Sequence, residues 1–130
     1  KRKDNPFDKW QMPQGGVDLN EPLLVALKRE LEEETSIKNI EILKEFNQWL
    51  EYELPENLIG KIWKGKYRGQ KQKWFIVKFL GNYSEIDVNT KYPEFLEWKW
   101  VDMNLLPDLV VSFKKHVYKD VLTELKKYIN

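Results

Sequence analysis

Residues 15–37, GGVDLNEPLLVALKRELEEETSI, are the stretch from which the fold of this chain can be inferred. Two glycines open it, and glycines allow backbone conformations or close approaches that a side chain forbids. Asn20 is a favourable N-cap and Pro22 suits a first turn, so we predict a helix that starts at Glu21. We expect this helix to end near Thr35. The side chains that it should present to a sheet are Leu24, Leu27 and Leu31.

Glutamates occupy four of five consecutive positions in this predicted helix, at Glu30, Glu32, Glu33 and Glu34. At about 100° per residue, Glu30, Glu33 and Glu34 share one face, whereas Glu32 points to nearly the opposite side. Like charges at these spacings destabilise a helix by a few tenths of a kcal/mol per pair. A hard divalent cation such as Mg²⁺ is the natural counter-charge. The glutamates alone are equally compatible with a solvated acidic face.

The spacing of the stretch resembles the Nudix box, which is glycine, five residues, glutamate, seven residues, then Arg-Glu-apolar-x-Glu-Glu-x-Gly-apolar. The matching positions are Gly15, Glu21, Arg29, Glu30, Leu31, Glu33, Glu34 and Ile37. Ser36 departs from the family, which has a glycine there that suits a left-handed helix cap. We expect the serine to cost about 1 kcal/mol of helix termination and to leave the carboxylates intact.

Composition places the chain among globular proteins of one domain, residues 1–130, because it is 42% hydrophobic and contains six tryptophans. The absence of cysteine excludes disulfides, thiolate catalysis and cysteine metal sites, and suits the cytoplasm. The net charge of +1 indicates no strong overall field for nucleic acid. No apolar run approaches the roughly 18 residues that span a bilayer, so we expect a soluble protein with no membrane partner.

Outside the predicted helix, the sequence predicts mainly strands. Residues 10–13 predict a short strand, and residues 40–54 predict one or two strands that end at Pro55. Residues 73–80, KWFIVKFL, predict a central strand because they are apolar on both faces. Alternation predicts another strand with one buried face; its apolar residues are Leu96, Trp98 and Trp100.

Two further segments are predicted from composition and periodicity. Residues 58–72 are basic and contain glycines, which indicates a hairpin or a long loop. The basic residues in and beside it are Lys61, Lys64, Lys66, Arg68, Lys71 and Lys73, with Trp63 and Tyr67 among them. Ser112 is predicted to cap a final helix. The apolar residues at helical spacing on that helix are Phe113, Val117, Val121 and Leu125.

This order of elements predicts an α/β (α+β) fold, a sandwich with helices on both sides of a mixed sheet. The Nudix resemblance implies the same α/β/α arrangement. It also implies one or two strands ahead of residue 10, for which the chain has no room, so we expect N-terminal strands to be missing from it.

Further segments resemble one branch of the Nudix family, the bacterial RNA pyrophosphohydrolases and the related dinucleoside tetraphosphate hydrolases. They are residues 10–14 (WQMPQ), 69–75 (GQKQKWF), 93–95 (PEF) ahead of 98–100 (WKW), and 111–114 (VSFK). The resemblance implies a hydrolase that uses Mg²⁺, with Mn²⁺ or another divalent ion possible. It implies removal of pyrophosphate from 5′-triphosphorylated RNA, which promotes mRNA decay. The alternative substrate is a dinucleoside polyphosphate, and a non-catalytic nucleotide-binding module is a third possibility.

The same resemblance implies roles for individual residues. Glu30, Glu33, Glu34 and Glu94 are expected to bind metal ions that hold the polyphosphate while water attacks phosphorus. Glu30, Glu33 and Glu94 remain alternatives as the base. Arg29 is expected to orient the acids, Glu21 to stabilise the loop, and the Gly15–Gly16 loop to lie beside the metal. The expected substrate contacts are Phe113 and Lys114, then Tyr52, Gln72, Lys73 and Arg2. We expect a monomer.

Several of these assignments have a structural alternative. Glu94 could be a surface acid in a loop, and Phe113 also fits the apolar face of its own predicted helix. The lysines near residues 61–73 could belong to a solvated turn. His116, the only histidine, is expected to lie on a helix surface and not to act in catalysis.

Overall fold

The computed structural model describes residues 1–4, 8–61 and 68–129. Three α-helices are found in the described residues: α1 (Leu23–Thr35), α2 (Leu106–Leu109) and α3 (Lys115–Leu125). The strands are β1 (Ile40–Glu45), β2 (Leu50–Glu53), β3 (Gly69–Gln72) and β4 (Phe75–Phe79). Short 3₁₀ turns span Glu56–Leu58, Tyr83–Glu85, Met103–Leu105 and Ser112–Lys114. Trp63, Lys64, Lys66 and Tyr67 of the predicted hairpin or loop lie outside the described residues.

The chain forms two compact units. The first unit contains Lys1–Glu41 and Val77–Trp100, and the second contains Ile42–Ile76 and Val101–Asn130. Strand β1 pairs with β4, and β2 pairs with β3. Helices with antiparallel strands confirm the predicted α+β class. No helix in the described part of the chain combines the length and the apolar character needed to cross a membrane.

Helix α1 dominates the first unit, and its start differs from the prediction. Asn20 has a φ of 64°, and the N–H of Glu21 bonds the carbonyl oxygen of Asp18 at 3.0 Å, so these residues form a turn. An N-cap residue has extended backbone, which Pro22 supplies with φ −61° and ψ 143°. The predicted N-cap was therefore wrong by two residues.

The end of α1 agrees with the prediction. The helix stops at Thr35, and Ser36 is left-handed with φ 66° and ψ 10°. Its N–H bonds the carbonyl oxygen of Glu32 at 2.9 Å, as the cap of a helix does. Leu31 is buried and Leu27 is half-buried, but Leu24 is 45% exposed, so that part of the predicted apolar face was wrong.

The first residues of the chain pair with the segment around Glu94. Arg2 and Phe95 form an antiparallel bridge. The N–H of Lys3 bonds the Glu94 carbonyl oxygen at 2.8 Å, and the N–H of Leu96 bonds the Lys1 carbonyl oxygen at 2.7 Å. This pairing fixes the backbone that carries both Arg2 and Glu94.

The strand predicted at Leu96, Trp98 and Trp100 was wrong. These side chains are 63%, 38% and 53% exposed, and the segment has no regular strand. A segment in which apolar and polar residues alternate forms a strand only where another strand pairs with it. In the described residues, the bridge pairing of this segment is limited to that of Arg2 with Phe95. Residues 10–13 likewise lack the predicted strand.

The second unit contains the hairpin of β2 and β3 and the helix α3. Residues 40–54 form two strands, as one of the two alternatives predicted. The β2–β3 register places Tyr52 opposite Gln70 and Leu50 opposite Gln72. The strand predicted at residues 73–80 is β4, which starts at Phe75 and leaves Lys73 outside. It was wrong to expect a central strand, because among the described residues β4 pairs only with β1.

The core of the second unit lies between this hairpin and α3. Its buried members are Phe46, Tyr52, Ile76, Val110, Val117, Tyr118 and Val121. Leu125 of α3 packs against them from a half-buried position, as the predicted helical spacing required. Phe113 also packs there, but from the 3₁₀ turn ahead of α3 and not from the helix on which it was predicted. Ser112 does not cap a helix with its side chain, because it opens a 3₁₀ turn ahead of α3.

Candidate metal and substrate sites

The glycine loop lies against the acidic face of α1. A Cβ atom built on Gly15 would overlap the carboxylate of Glu30, whereas one built on Gly16 would meet no atom within 4 Å. Only the first glycine is therefore needed for a close approach. It allows the loop to lie beside the Glu30 carboxylate.

Arg29 joins this loop to the helix. Its Nε and Nη2 each donate to the Glu21 carboxylate at 2.8 Å, and Nη2 also donates to the Gly16 carbonyl oxygen at 2.9 Å. Its Nη1 donates to Glu30 at 2.8 Å and to Glu33 at 3.2 Å. The guanidinium thus holds the loop through Glu21 and orients two of the glutamates of α1.

These contacts change the acid strengths of the groups involved. The hydrogen bonds from Arg29, with a smaller contribution from the Asp18 N–H, lower the pKa of Glu21 to about 2. Hydrogen bonds to Glu21 and Glu30 raise the pKa of Arg29. Burial raises the pKa of Glu30 despite its contact with Arg29, and the charges of Glu33 and Glu94 add to the increase. The charged form of Glu30 is therefore destabilised, whereas the charged form of Glu21 is stabilised.

Glu34 is the buried acid of the site, with 2% of its surface exposed. The backbone N–H of Gln14 donates to its Oε2 at 3.1 Å, but within the described part of the chain its Oε1 has no hydrogen-bond partner. Burial, and then the charges of Glu94 and Glu30, raise its pKa to about 9. An unpaired buried carboxylate is costly, so this position favours either a proton or a cation.

Glu94 lies beside this buried acid, as its effect on the Glu34 pKa shows. Arg2 is its cationic neighbour, with Nη1 3.5 Å from a Glu94 oxygen. The predicted residues Glu30, Glu34, Glu94 and Arg2 are therefore brought together within the first unit.

The residues around Glu34 fit a hard divalent cation. Glu30, Glu34 and Glu94 offer carboxylate oxygens, the ligands that Mg²⁺ prefers, and among the described residues Oε1 of Glu34 has no hydrogen-bond partner. In the described ranges, no three Asp, Glu or His side chains are arranged to hold an ion as they stand. Arg29 contacts Glu30 and Glu33, and Arg2 lies 3.5 Å from Glu94, so a metal ion would share these carboxylates with two guanidinium groups.

The predicted base-contact residues lie in the second unit. The Tyr52 hydroxyl donates to Oε1 of Gln70 at 2.9 Å, and Nε2 of Gln72 donates to the same oxygen at 3.3 Å. Nε1 of Trp74 donates to Oε1 of Gln72 at 2.9 Å. This chain of hydrogen bonds fixes the orientation of both amides.

Phe113 and Lys114 adjoin the same network. The ring of Phe113 lies 5.7 Å from that of Tyr52, and Nζ of Lys114 lies 5.2 Å from the Tyr52 ring centroid. Lys114 is 5% exposed, which is rare for a lysine and places its charge against an aromatic face.

Lys73 is half-buried in the segment that connects β3 to β4. His116 is exposed on α3, as predicted, with Nε2 2.9 Å from the Glu51 carbonyl oxygen.

Sequence reasoning missed several residues that support these sites. The Gln14 N–H gave no spacing signal, because it contacts Glu34, twenty residues away. The Asp4 carboxylate gave none either, because it contacts Arg2 outside the Nudix box. Gln70 could have been found from the hairpin, since a two-stranded register that pairs Tyr52 with residue 70 brings their side chains together.

The fold and the carboxylates of α1 define a Nudix domain. The family model described as NUDIX domain matches residues 1–121, and the chain belongs to this family. Members of the family generally use divalent metal ions.

The relatives that match the chain include three bacterial proteins named RNA pyrophosphohydrolase. The one from Pelagibacter ubique (strain HTCC1062) is 62% identical over 130 residues, which are 100% of this chain and 82% of the relative. The one from Bartonella henselae is 48% identical over 124 residues, 92% of this chain and 72% of the relative. The one from Rhodopseudomonas palustris (strain BisA53) is 51% identical over 119 residues, 88% of this chain and 68% of the relative.

Proposed function

We propose that this chain is an RNA pyrophosphohydrolase, an enzyme that removes pyrophosphate from a 5′-triphosphate end and leaves a 5′-monophosphate. The observation that carries this proposal is 62% identity over the whole chain to a relative of that name. The first unit adds a chemical reason, because all the glutamates of the Nudix box are present and Arg29 orients two of them. Removal of pyrophosphate would expose the RNA to decay.

The metal in this proposal is Mg²⁺, held by Glu30, Glu33, Glu34 and Glu94. When bound, Mg²⁺ would neutralise the polyphosphate and lower the pKa of water. Among the described residues Oε1 of Glu34 has no hydrogen-bond partner, which supports this assignment, since a cation would neutralise a buried carboxylate that is otherwise costly.

The protein's own residues position the reacting groups. Arg29 keeps Glu30 and Glu33 on the side of α1 that borders the glycine loop. Gly15 leaves room for the Glu30 carboxylate. The acceptor of the proton from water is one of Glu30, Glu33 and Glu94, and Arg2 contacts the phosphates.

The second unit supplies the contacts to the nucleobase. Phe113 offers an aromatic face for stacking, which tolerates any base, and Lys114 adds a positive charge beside Tyr52. Gln72 is held by Trp74 and Gln70, so its amide is oriented before substrate arrives. Lys73 is assigned to phosphate or base contact. Such transcripts are made in the bacterial cytoplasm, so we place the enzyme there. We also propose that it acts as a monomer.

The test is a competition between two substrates. Purified protein with Mg²⁺ receives equal amounts of 5′-triphosphorylated RNA and diadenosine tetraphosphate, and the products are separated by chromatography. We expect pyrophosphate and 5′-monophosphorylated RNA to be formed faster than ATP and AMP. Turnover of the dinucleotide alone would show that the substrate is wrong, and no turnover of either would favour a non-catalytic module.

A matched pair of variants checks the metal assignment in the same assay. Glu34→Gln removes the buried carboxylate and should abolish turnover. Glu32→Gln is the control, because Glu32 is exposed on the opposite side of α1 and lies 3.6 Å from Lys38. Full turnover by Glu34→Gln would reject the assignment.

A further inference from the structure

Arg2 is shared between two carboxylates in the first unit. Its Nε and Nη2 contact the two oxygens of Asp4 at 2.8 and 3.2 Å, a bidentate pair. Its remaining nitrogen, Nη1, lies 3.5 Å from Glu94. The side chains of Arg2, Asp4 and Glu94 are 27%, 64% and 47% exposed, so solvent can reach this group.

This arrangement sets a competition at the proposed metal site. A guanidinium and a divalent cation both bind carboxylate oxygens, and the charge of Arg2 lowers the pKa of Glu34 as well as pairing with Glu94. Arg2 cannot leave the neighbourhood, because its backbone forms the bridge with Phe95 and the adjacent Lys3 bonds the Glu94 carbonyl oxygen. Some other group must therefore limit how strongly it pairs with the metal ligands.

We propose that Asp4 is a positioning residue that holds Arg2 away from Glu94 and Glu34, so that a divalent cation can bind these carboxylates. The inference rests on the metal site proposed above and adds a residue that lies outside the Nudix box. Asp4 occupies two of the three guanidinium nitrogens, which leaves Arg2 a single, long contact with Glu94. Arg2 then remains beside the site with its charge available to the polyphosphate.

Loss of Asp4 has a definite consequence in this arrangement. The freed guanidinium is tethered within reach of Glu94 and can replace its 3.5 Å contact with a bidentate one. It would then compete with the cation for the same oxygens. The defect should appear in metal binding, and it should vanish when Arg2 is also removed.

The experiment measures metal binding without turnover. Mn²⁺ is titrated into the protein with no substrate, and free ion is followed by its EPR signal for wild type, Asp4→Asn, Arg2→Met and the double variant. Asp4→Asn should weaken Mn²⁺ binding by about threefold, the scale expected for a partly exposed ion pair. In the Arg2→Met background, Asp4→Asn should have no effect.

Two controls separate this inference from simpler explanations. Asp8→Asn removes an exposed acid that pairs with Lys1 at 2.9 Å, and it should leave Mn²⁺ binding unchanged. Circular dichroism checks that Asp4→Asn is folded. If Asp4→Asn weakens binding equally with and without Arg2, or has no effect in wild type, the positioning role is wrong. If Glu34→Gln binds Mn²⁺ as tightly as wild type, the metal site itself is wrong and the inference falls with it.

Discussion

Single residues around Glu30 and Glu34 determine how the first unit can bind a cation. Glu33 is exposed while Glu34, one position along α1, is 2% exposed. A rotation of about 100° between neighbours explains the difference, because it turns one carboxylate to solvent and the next towards the interior. Adjacent glutamates of the same motif therefore have different chemistry.

Glu34 makes the stability of the metal-free protein depend on pH. Its pKa is raised from 4.5 to about 9, so between these values the native state holds a proton that the unfolded state has released. The stability that this proton confers is fully present below the pKa of Glu34 in the unfolded chain and is lost as pH rises through its pKa in the folded protein. Between the two values the free energy of unfolding falls by up to about 1.4 kcal/mol per pH unit.

Glu34→Gln should remove this dependence. With no divalent ion present, urea unfolding should show the variant gaining stability relative to wild type between about pH 5 and about pH 8. Added Mg²⁺ should stabilise the wild type and leave the variant unchanged. A difference between the two proteins that stays constant with pH would contradict the burial of an acid with a raised pKa.

Gly15 and Gly16 provide a second residue-scale prediction. Gly15→Ala should displace the Glu30 carboxylate and reduce kcat on triphosphorylated RNA by up to about a hundredfold, because ligand placement must be accurate to well below 1 Å. Stability should also fall, since the displaced Glu30 side chain is half-buried and accepts a hydrogen bond from Arg29. Gly16→Ala is the matched control and should retain activity, as its Cβ enters open space. Equal activities would show that the close approach is unimportant.

At the scale of secondary structure, the end of α1 shows how this chain compensates for a departure from its family motif. Ser36 adopts the left-handed backbone that the family fills with glycine, which costs about 1 kcal/mol. Its hydroxyl donates to the Asp87 carbonyl oxygen at 2.8 Å, and the Asp87 N–H bonds the Thr35 carbonyl oxygen at 2.9 Å. The helix end is thereby tied to a distant segment.

Two substitutions at Ser36 separate the strain from the hydrogen bond. Ser36→Ala keeps the left-handed strain and loses the hydroxyl, so it should lower the free energy of unfolding by about 1 kcal/mol. Ser36→Gly loses the same bond but relieves the strain, so its stability should stay close to wild type. Urea denaturation at one pH measures both. Equal destabilisation by the two variants would mean that Ser36 carries no strain.

On the scale of the whole molecule, the proposed tasks are divided between the two units. The candidate metal ligands all belong to the first unit, and the aromatic and amide residues assigned to the nucleobase all belong to the second. Metal binding and RNA binding should therefore respond separately to substitution.

Phe113→Leu tests this separation. It keeps an apolar side chain against Tyr52 but removes the stacking face, so KM for RNA should rise by about tenfold. Mn²⁺ binding and thermal stability should match wild type. Phe113→Ala also leaves a cavity beside the core and should be less stable. A loss of Mn²⁺ binding in Phe113→Leu would show that the two tasks are coupled.

The sequence alone determined the helix with its acidic face, the pair of strands in residues 40–54 and the left-handed position of Ser36. These features follow from local periodicity, turn chemistry and backbone sterics, which neighbouring residues determine. It also supplied the family resemblance, because the spacing of the Nudix box is itself local.

Only the tertiary structure decided that Glu34 is the buried acid and that Asp4 pairs with Arg2. It also decided that Trp98 and Trp100 form no strand. These outcomes depend on which distant segments pair, here residues 1–3 with residues 94–97. The repulsion between Glu34 and Glu94 depends on where the segment around Glu94 lies, and no local pattern specifies that position.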